Sequence, residues 1–483
     1  MLSQVRSCGV VYLAAVVVKL LLIPAYHSTD FEVHRNWLAI THSVPRGQWY
    51  HEATSEWTLD YPPLFAGFEW VLSHAAAWVE PQSVEVSAGA FESWRFKVFH
   101  RCTVVAADVV LLAGAAAAAR VLCPHRGSVA PIVALVALHP ALLIVDGIHF
   151  QYNGLLLGLM MLSVAALVSG RTVTACASFA ALLCFKHLFL CLAPVFGLAV
   201  LRGAAWPRVS AGVTAGVGVV AAAFGAVVQP AVQAGSSVKA ELAAIGGRLF
   251  PLGRGLLHAY WAPNVWALYA GADRVLRVAL RAPEQPDDYD VAAVTKFSVL
   301  PFVTPGVSLV GVLAAATVAC ALFLRRKTAP YTIALGLTAS AFSLYQFGWQ
   351  VHEKAALVPC LCFIACGSRV GRFLADHHPV LAMVFSMTVT YAVSPLLFKA
   401  AEAPLIVLFP VAYHCVAAVA LRVHRHAVVV GVAFSLAALH VVVVGLPFVL
   451  PGLQFLPLML TSLWCGVLLV GVWLYVLKLQ WSA

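Results

Sequence analysis

The feature that most constrains this chain is a succession of apolar runs, each about as long as a helix needs to cross a membrane. A bilayer core about 30 Å thick is spanned by roughly 20 apolar residues. Such runs cover most of the 483 residues, which are 62% hydrophobic and only 10% charged. Soluble domains carry about 25% charged residues. The pattern predicts an all-α polytopic membrane protein, with residues 1–483 forming a single membrane domain, and excludes soluble, disordered and nucleic-acid-binding proteins.

The apolar runs predict about fourteen transmembrane helices. They lie near residues 8–24, 103–119, 129–146, 154–170, 172–185, 187–201, 209–229, 298–324, 329–347, 355–368, 379–398, 403–421, 427–447 and 452–476. Two long stretches between them, residues 25–102 and 230–297, are predicted to be loops. Inside the first, residues 62–80 are apolar but interrupted by Glu69 and His74. We interpret this segment as a helix lying at the membrane interface.

Basic residues concentrate on one side of this predicted topology. Lys and Arg are enriched in the short cytosolic loops of membrane proteins. With fourteen spans, the side that holds both termini receives 14 basic residues and one acid, Asp376. The basic residues are Arg6, Arg120, Arg126, Arg171, Arg202, Arg208, Arg325, Arg326, Lys327, Arg369, Arg372, Arg422, Arg425 and Lys478. Both termini are therefore predicted to be cytosolic, and both long loops to be lumenal.

Most of the 12 cysteines lie inside apolar runs. A zinc site needs thiolates in closed N/S ligation, whereas a neutral cysteine packs as a small hydrophobic residue. We therefore interpret the cluster of Cys360, Cys362 and Cys366 as helix packing, and no disulfide framework is predicted. The first apolar run is followed by the polar residues 26–30 instead of a small-residue cleavage site, which predicts an uncleaved first span.

The loop over residues 25–102 holds the densest polar chemistry. Nine of the chain's 20 carboxylates lie there, interleaved with Trp and Tyr: Asp30, Glu32, Glu52, Glu56, Asp60, Glu69, Glu80, Glu85 and Glu92. Carboxylates accept sugar hydroxyl protons, and aromatic faces pack on sugar C–H surfaces. The same composition also suits a solvated loop with an interfacial aromatic belt, so composition leaves both interpretations open.

Asp30 favours the catalytic interpretation. It follows the first span within a few residues, at the depth of a lipid-borne reactive bond, where an ionisable residue is costly and often functional. The fitting chemistry is inverting sugar transfer from a lipid phosphate, with a carboxylate accepting the acceptor hydroxyl proton. The residues Asp30-Phe31-Glu32 could also form an acidic metal motif. Magnesium sites favour polyphosphate leaving groups, so we expect no metal.

Candidate phosphate ligands occur on the same predicted side. His352 and Lys354 directly follow the ninth span, and Arg248 and Arg254 lie in the second long loop. Cationic groups can stabilise the charge of a departing phosphate. Interfacial Lys and Arg also commonly anchor helix ends, and this second interpretation stays open for each of them.

Two further polar segments adjoin the spans. Residues 149–153, with His149 and Gln151, form a turn that either lines the same cavity or is simply a capped turn. Lys186 separates two short spans on the same side, where a helix-end role is the favoured interpretation.

Taken together, the polar segments resemble the endoplasmic-reticulum glucosyltransferases that use dolichyl phosphate glucose. The similar segments occur in order over residues 20–360: Tyr26–Trp37 (YHSTDFEVHRNW), Trp49–Tyr50, Trp57–Pro63 (WTLDYPP), His149–Asn153 (HFQYN), Phe185–His187 (FKH), Arg248–Pro251 (RLFP) and Val351–Lys354 (VHEK). Residues 27–30 (HSTD) and 258–269 (HAYWAPNVWALY) resemble the family member that adds the second glucose. The last 120 residues carry no such motif.

This resemblance implies a GT-C type fold, a transmembrane bundle with lumenal interface helices, in the endoplasmic reticulum membrane. The implied reaction is inverting α-1,3-glucosyl transfer onto the monoglucosylated high-mannose glycan carried on dolichyl diphosphate. The implied partners are dolichyl phosphate glucose, the dolichyl-diphosphate oligosaccharide and membrane lipids, with no nucleic acid. Neither a metal nor another cofactor is expected.

Residue by residue, the resemblance implies specific roles. Asp30 matches the position of the general base, and His352 a position near the donor phosphate. Lys354, Arg248 and Arg254 are added to the phosphate site because they are cationic and lie on the same predicted side of the membrane. The expected substrate contacts are Glu32, Arg35, Trp37, Asp60, Tyr61, His149, Gln151 and Trp261. Anchoring in an aromatic belt would also explain Trp261.

Two other classes of protein fit the composition. A lipid or solute transporter is expected to bury charges within its spans and to show paired internal halves. Only Asp108 and Asp146 lie near such depths, and no internal repeat is apparent. A related lumenal enzyme, such as the first-glucose transferase, is disfavoured only by the resemblance of residues 258–269.

Overall fold

The computed structural model describes residues 2–122, 129–253, 255–283, 297–365 and 371–482. Within these ranges every regular element is a helix. The first half contains α1 (Leu2–Leu21), α2 (Thr29–Ser43), α3 (Pro63–Val79), α4 (Trp94–Leu122), α5 (Val129–Ala137), α6 (Pro140–Leu142), a π-helical turn (Leu143–His149), α7 (Asn153–Val168), α8 (Thr172–Phe185), α9 (Ala193–Gly203) and α10 (Trp206–Gln233). The second half contains α11 (Val238–Leu249), α12 (Val265–Leu280), α13 (Pro305–Leu324), α14 (Pro330–Phe347), α15 (Leu357–Ala365), α16 (Gly371–Ala392), α17 (Ala403–Ala420), α18 (Ala427–Val449) and α19 (Leu456–Ser482).

The helices confirm the all-α polytopic class. Eight helical segments of the described chain are long and apolar enough to cross a membrane. Four shorter apolar helical segments accompany them: Ser7–Leu21, Asn153–Val168, Thr172–Phe185 and His187–Gly203. Every one of the fourteen predicted runs overlaps a helix, but a count of fourteen spans stays a prediction. Four of the residues named from the sequence lie outside the described ranges: Arg126, Arg254, Cys366 and Arg369.

The helix predicted over residues 62–80 is α3. Glu69, which interrupts its apolar run, is fully buried and points into the protein. Its carboxylate Oε1 lies 2.7 Å from Nδ1 of His34 on α2. At the end of α3, the Trp78 side chain is 88% exposed. One polar side chain thus faces a partner helix, while a large aromatic side chain stays outside the packed interior.

A single arginine ties together the chain segments that lead into α2 and α7. Arg101 of α4 is buried, and its guanidinium donates hydrogen bonds to five backbone carbonyl groups. Three of these carbonyls follow α1 and two lie in the π-helical turn: Leu22, Ala25, Tyr26, Gly147 and Ile148. Buried backbone carbonyls need such donors, particularly where water is excluded.

Helices α4 and α7 pack closely against each other. A Cβ atom placed on Gly158 of α7 would lie 2.5 Å from the backbone carbonyl of Val110 on α4. A Cβ atom on Gly154, one turn earlier, would lie 2.5 Å from Oδ1 of Asp108. Small residues at this spacing allow helix backbones to approach closely. Asp108 itself pairs with Lys19 of α1 at 2.6 Å, so three helices meet here. Lys19 lies inside the first predicted span, so the expectation that only Asp108 and Asp146 carry charge within the spans was wrong.

We expect Gly158→Ala to destabilise the protein by about 1–3 kcal/mol, because the added methyl group overpacks a rigid backbone contact. The free energy of unfolding in detergent micelles measures the effect. Gly225→Ala is the matched control, since Gly225 lies in α10 with open space around its Cα. A Gly158→Ala protein as stable as the control would contradict the close α4–α7 contact.

Candidate active site

The residues before α2 connect two parts of the site. Ser28 caps the helix, because its hydroxyl oxygen accepts a hydrogen bond from the backbone N–H of Asp30 at 3.1 Å. The same hydroxyl donates to the backbone carbonyl of His149, at the end of the π-helical turn. This shared serine places the first turn of α2 beside the segment that carries His149 and Gln151.

Asp30 is the centre of a compact polar cluster. Its Oδ2 atom lies 2.6 Å from Lys354 Nζ, 2.5 Å from Gln151 Nε2 and 3.1 Å from His149 Nε2. Lys354 Nζ is also 3.0 Å from His149 Nε2. The Asp30 side chain stays 26% exposed, while those of Lys354 and His149 are 9% and 11% exposed. The carboxylate can therefore reach a ligand from within a largely enclosed setting.

The neighbours of Asp30 keep it ionised. Burial alone would raise the pKa of its carboxyl group, but the Lys354 charge and the hydrogen bond from His149 hold that pKa well below its usual range. With Lys354 in contact, the carboxylate is a weak proton acceptor. A ligand anion that attracted Lys354 would raise the pKa of Asp30 and strengthen it as a base.

A chain of hydrogen bonds orients Gln151 toward Asp30. The Gln151 Oε1 atom accepts from Asn153 Nδ2 at 2.8 Å, which leaves the Gln151 amide N–H directed at Asp30. The Asn153 Nδ2 atom also donates to Asp146 Oδ1 at 2.9 Å. Asp146 accepts from the backbone N–H groups of Asn153 and Gly154 as well, so it holds the first turn of α7.

Two histidines pack against each other beside the segment that carries Lys354. The ring centroids of His258 and His352 are 3.8 Å apart. Burial, and then the charge of His258, hold the pKa of His352 well below its usual range, so its imidazole is neutral. Glu353 has both carboxylate oxygens buried without a hydrogen-bond partner, and burial raises its pKa. These three residues offer possible metal-ligand atoms within 4.8 Å of one another.

The structure brings some of the predicted site residues together and places others elsewhere. Asp30, Lys354, His149 and Gln151 are in direct contact. The backbone before His352 is held by a hydrogen bond from the Gln350 N–H to the Leu256 carbonyl, 2.9 Å long.

The Tyr61 side chain lies at the same cavity. Lys186 Nζ is 4.8 Å from its ring centroid. Burial, and then the charge of Asp60, raise the pKa of the Tyr61 hydroxyl well above its usual range, and the charge of Asp30 contributes less. Tyr61 and Asp60 therefore lie near the cluster.

Three of the predicted substrate contacts instead lie within the packed interior of the first loop. Glu32 and Arg35 form a buried ion pair with each other, and Arg35 also donates to the backbone carbonyls of Glu85 and Gly89. The Trp37 side chain is 1% exposed and donates to the Thr58 carbonyl at 3.0 Å. Their contacts are those of residues that hold the loop together.

The remaining predicted residues are placed as follows. Arg248 donates to the backbone carbonyls of Tyr50 and Glu52, and so joins the two long loops. Trp261 is buried in a small apolar cluster with Leu256 and Leu257. It has a left-handed φ of 35°. Arg254 is outside the described residues.

Sequence reasoning missed two contributors. The sequence pattern presents Asn153 only as part of a turn, and Glu402 lies in the region that carries no motif of the family. The Glu402 Oε1 atom accepts from the backbone N–H of Tyr26 at 2.7 Å, four residues before Asp30. Its carboxylate, which lies between two apolar runs and three residues after Lys399, is the available signal.

Comparisons with known proteins cover nearly the whole chain. The family described as "ALG6, ALG8 glycosyltransferase family" matches residues 15–476. Two relatives carry the name dolichyl pyrophosphate Glc1Man9GlcNAc2 alpha-1,3-glucosyltransferase, prefixed "probable" in the first. The Drosophila melanogaster protein is 40% identical over 79% of this chain and 75% of its own length. The Arabidopsis thaliana protein is 40% identical over 82% of this chain and 78% of its own length. A solved structure, ArnT from Cupriavidus metallidurans bound to undecaprenyl phosphate, is 14% identical with a TM-score of 0.41, covering 99% of this chain and 78% of that chain.

We expect Lys354→Met to lower the free energy of unfolding by about 2 kcal/mol, because Asp30 would be left charged and poorly paired. Fully buried pairs lose about 3–5 kcal/mol, but Asp30 keeps partial exposure. Adding Asp30→Asn to Lys354→Met should restore stability, although Asp30→Asn alone lowers it. Denaturant titration of the four proteins as a double-mutant cycle measures the coupling.

The same pair has a defined pH dependence. Since the Asp30 pKa is depressed in the folded state, the contribution of the pair is present above the unfolded pKa of about 4. It is lost as pH falls through the lower folded value. The difference in the free energy of unfolding between wild type and Lys354→Met should therefore decrease only in strong acid. Lys327→Met, at an exposed lysine, is the control, and additive changes in the cycle would argue against the pair.

Proposed function

The chain belongs to the ALG6, ALG8 glycosyltransferase family, and we propose that it adds the second glucose to a lipid-linked oligosaccharide. The donor is dolichyl phosphate glucose, and the acceptor is the monoglucosylated high-mannose glycan on dolichyl diphosphate. The names of the relatives support this acceptor and the α-1,3 linkage. The observation that carries the chemistry is the contact of Asp30 with Lys354, 2.6 Å long, which joins a carboxylate and a cation in one cavity.

In the proposed reaction, the acceptor hydroxyl oxygen attacks the anomeric carbon of the donor glucose. Asp30 accepts the hydroxyl proton as the new C–O bond forms. The bond between the anomeric carbon and the phosphate oxygen breaks on the opposite face, and its electron pair goes to the phosphate. Dolichyl phosphate leaves, and a single displacement inverts the β-linked donor to an α-linked product.

Lys354 has two roles in this scheme. Without donor it neutralises Asp30, and with donor its ammonium group is drawn to the phosphate. That exchange raises the proton affinity of Asp30 at the moment when a base is needed. His149 and Gln151 remain as hydrogen-bond partners that hold the carboxylate in position. Donor binding thereby activates the base.

The other predicted residues have direct or indirect roles in this proposal. His352, a neutral imidazole one residue from Glu353, is placed near the donor phosphate. Arg248 acts indirectly, through the backbone of the first long loop, to which it donates hydrogen bonds. Arg254 is proposed to bind the donor phosphate, because of its charge. Glu32, Arg35 and Trp37 are proposed to shape the acceptor side through the packed loop.

We place the protein in the endoplasmic reticulum membrane, with both termini cytosolic and Asp30 on the lumenal side. The distribution of Lys and Arg along the sequence supports this orientation. The relatives are named as enzymes that act on lipid-linked glycans, which supports the location in a membrane. No cofactor or metal is needed for the displacement, because the leaving phosphate is stabilised by cationic side chains.

A defined assay tests the proposed function. Purified full-length protein is given dolichyl phosphate glucose and either the unglucosylated or the monoglucosylated lipid-linked acceptor. We expect transfer to the monoglucosylated acceptor alone, with an α-1,3-linked product identified by glycosidase digestion and mass spectrometry. Transfer to the unglucosylated acceptor instead would assign the chain to the first step, and transfer to neither would reject the proposal.

Asp30→Asn should reduce turnover by about 10²–10⁴-fold, the usual contribution of a general base. Single-turnover kinetics in the same assay measures the loss, and the unfolding free energy verifies that the variant is folded. Glu56→Gln is the matched control, because Glu56 is an exposed carboxylate in the same loop. Retained turnover in Asp30→Asn would exclude Asp30 as the base.

A further inference from the structure

We propose that Lys186 is a second phosphate-binding cation of the active site, acting with Lys354 on the leaving phosphate of the lipid donor. This inference rests on the proposed glucosyl transfer and adds a residue to it. Lys186 follows α8 directly, and its backbone N–H closes that helix by donating to the Leu182 carbonyl at 2.9 Å. The side chain is partly exposed, and its ammonium group contacts Asn153 at the start of α7.

The Lys186 ammonium group is coupled to the Asp30 cluster. Its Nζ lies 3.5 Å from Asn153 Oδ1 and 4.8 Å from the ring centroid of Tyr61. Asn153 is the residue that binds Gln151, which in turn donates to Asp30. Three hydrogen bonds therefore connect the Lys186 ammonium to the carboxylate of the proposed base.

Lys186 differs from the buried lysines in its pairing. Lys354 lies 2.6 Å from Asp30, and Lys19 lies 2.6 Å from Asp108. For Lys186, no carboxylate oxygen in the described part of the chain lies within 4.0 Å of Nζ. An ammonium group that is hydrogen-bonded to a neutral amide instead of a carboxylate is costly to enclose, so a bound anion would stabilise it.

The charges around Lys186 come from several elements. Burial, and then the like charge of Lys354, lower the pKa of Lys186 to about 8, while opposite charges counter this effect. Those opposite charges are Asp30 on α2, Asp146 on the π-helical turn and Asp60 before α3. A bound phosphate would shift the balance toward the protonated form. Anion binding and protonation of Lys186 thus favour each other.

The charge change of the reaction explains why two lysines are needed. The phosphodiester of the donor carries one negative charge, and Lys354 can neutralise it by leaving Asp30. Breaking the bond to the anomeric carbon gives a phosphate monoester with a second negative charge. Lys186 supplies the matching second cation, so its interaction strengthens as the bond breaks and contributes to transition-state stabilisation.

Kinetics of Lys186→Met and Lys186→Arg test this role in the full-length protein. We expect Lys186→Met to lower kcat/KM for dolichyl phosphate glucose by about 10- to 100-fold, the worth of one hydrogen bond to a charged group. The KM of the acceptor should change less than about twofold. Lys186→Arg should recover most of the activity, and Lys239→Met, at an exposed lysine of α11, should behave as wild type.

Two measurements separate phosphate binding from a structural role. The Ki of the product dolichyl phosphate should rise in Lys186→Met in parallel with the loss of kcat/KM, whereas uncharged dolichol should inhibit both proteins equally. In wild type, kcat/KM for the donor should fall as pH rises through about 8. That alkaline decrease should move to higher pH in Lys186→Arg, because a guanidinium stays protonated.

Each outcome has a distinct meaning. If wild type transfers glucose and Lys186→Met keeps its donor kinetics and product Ki, the role of Lys186 is rejected. An alkaline decrease that is unchanged in Lys186→Arg also rejects it, even if Lys186→Met does not fold. If wild type transfers no glucose, the proposed function fails, and direct binding of dolichyl phosphate to wild type and Lys186→Met still decides the phosphate site.

Discussion

The ion pair of Asp30 and Lys354 is the interaction on which the site depends. It joins residues 324 positions apart, and it brings the first turn of α2 to the segment after α14. A carboxylate and an ammonium group are each costly to bury alone, and here each compensates the charge of the other. The proposed chemistry uses that mutual dependence, because a phosphate that competes for the lysine also releases the base.

The surrounding framework follows from the need to satisfy polar groups where water is scarce. Arg101 binds carbonyls of both segments that reach the site, and Asp146 holds the first N–H groups of α7. Ser28 bridges the cap of α2 and the backbone of His149. These contacts position the side chains around Asp30 through main-chain atoms, so a small set of buried polar residues determines the geometry of the candidate site.

Much of the fold could be predicted from the sequence, since apolar length is nearly sufficient to locate a membrane helix. The apolar segment at residues 62–80 forms α3, and its location at the membrane interface stays a prediction. The direction of individual side chains could not be read in this way. Asp30 and Glu32 lie two positions apart on a helix of 3.6 residues per turn, so they point to nearly opposite sides. Asp30 meets the cavity, and Glu32 meets Arg35. The unpaired charge of Lys186 also depends on distances that no linear pattern contains.

The π-helical turn over Leu143–His149 makes the length of that segment as important as its composition. A π-helical turn contains about one more residue than an α-helical turn. Removing one residue there would restore a regular helix and rotate every following side chain by about 100°. His149 and Gln151 would then leave Asp30, even with every functional residue still present. For this part of the chain, an insertion or deletion of one residue is a more severe change than most substitutions.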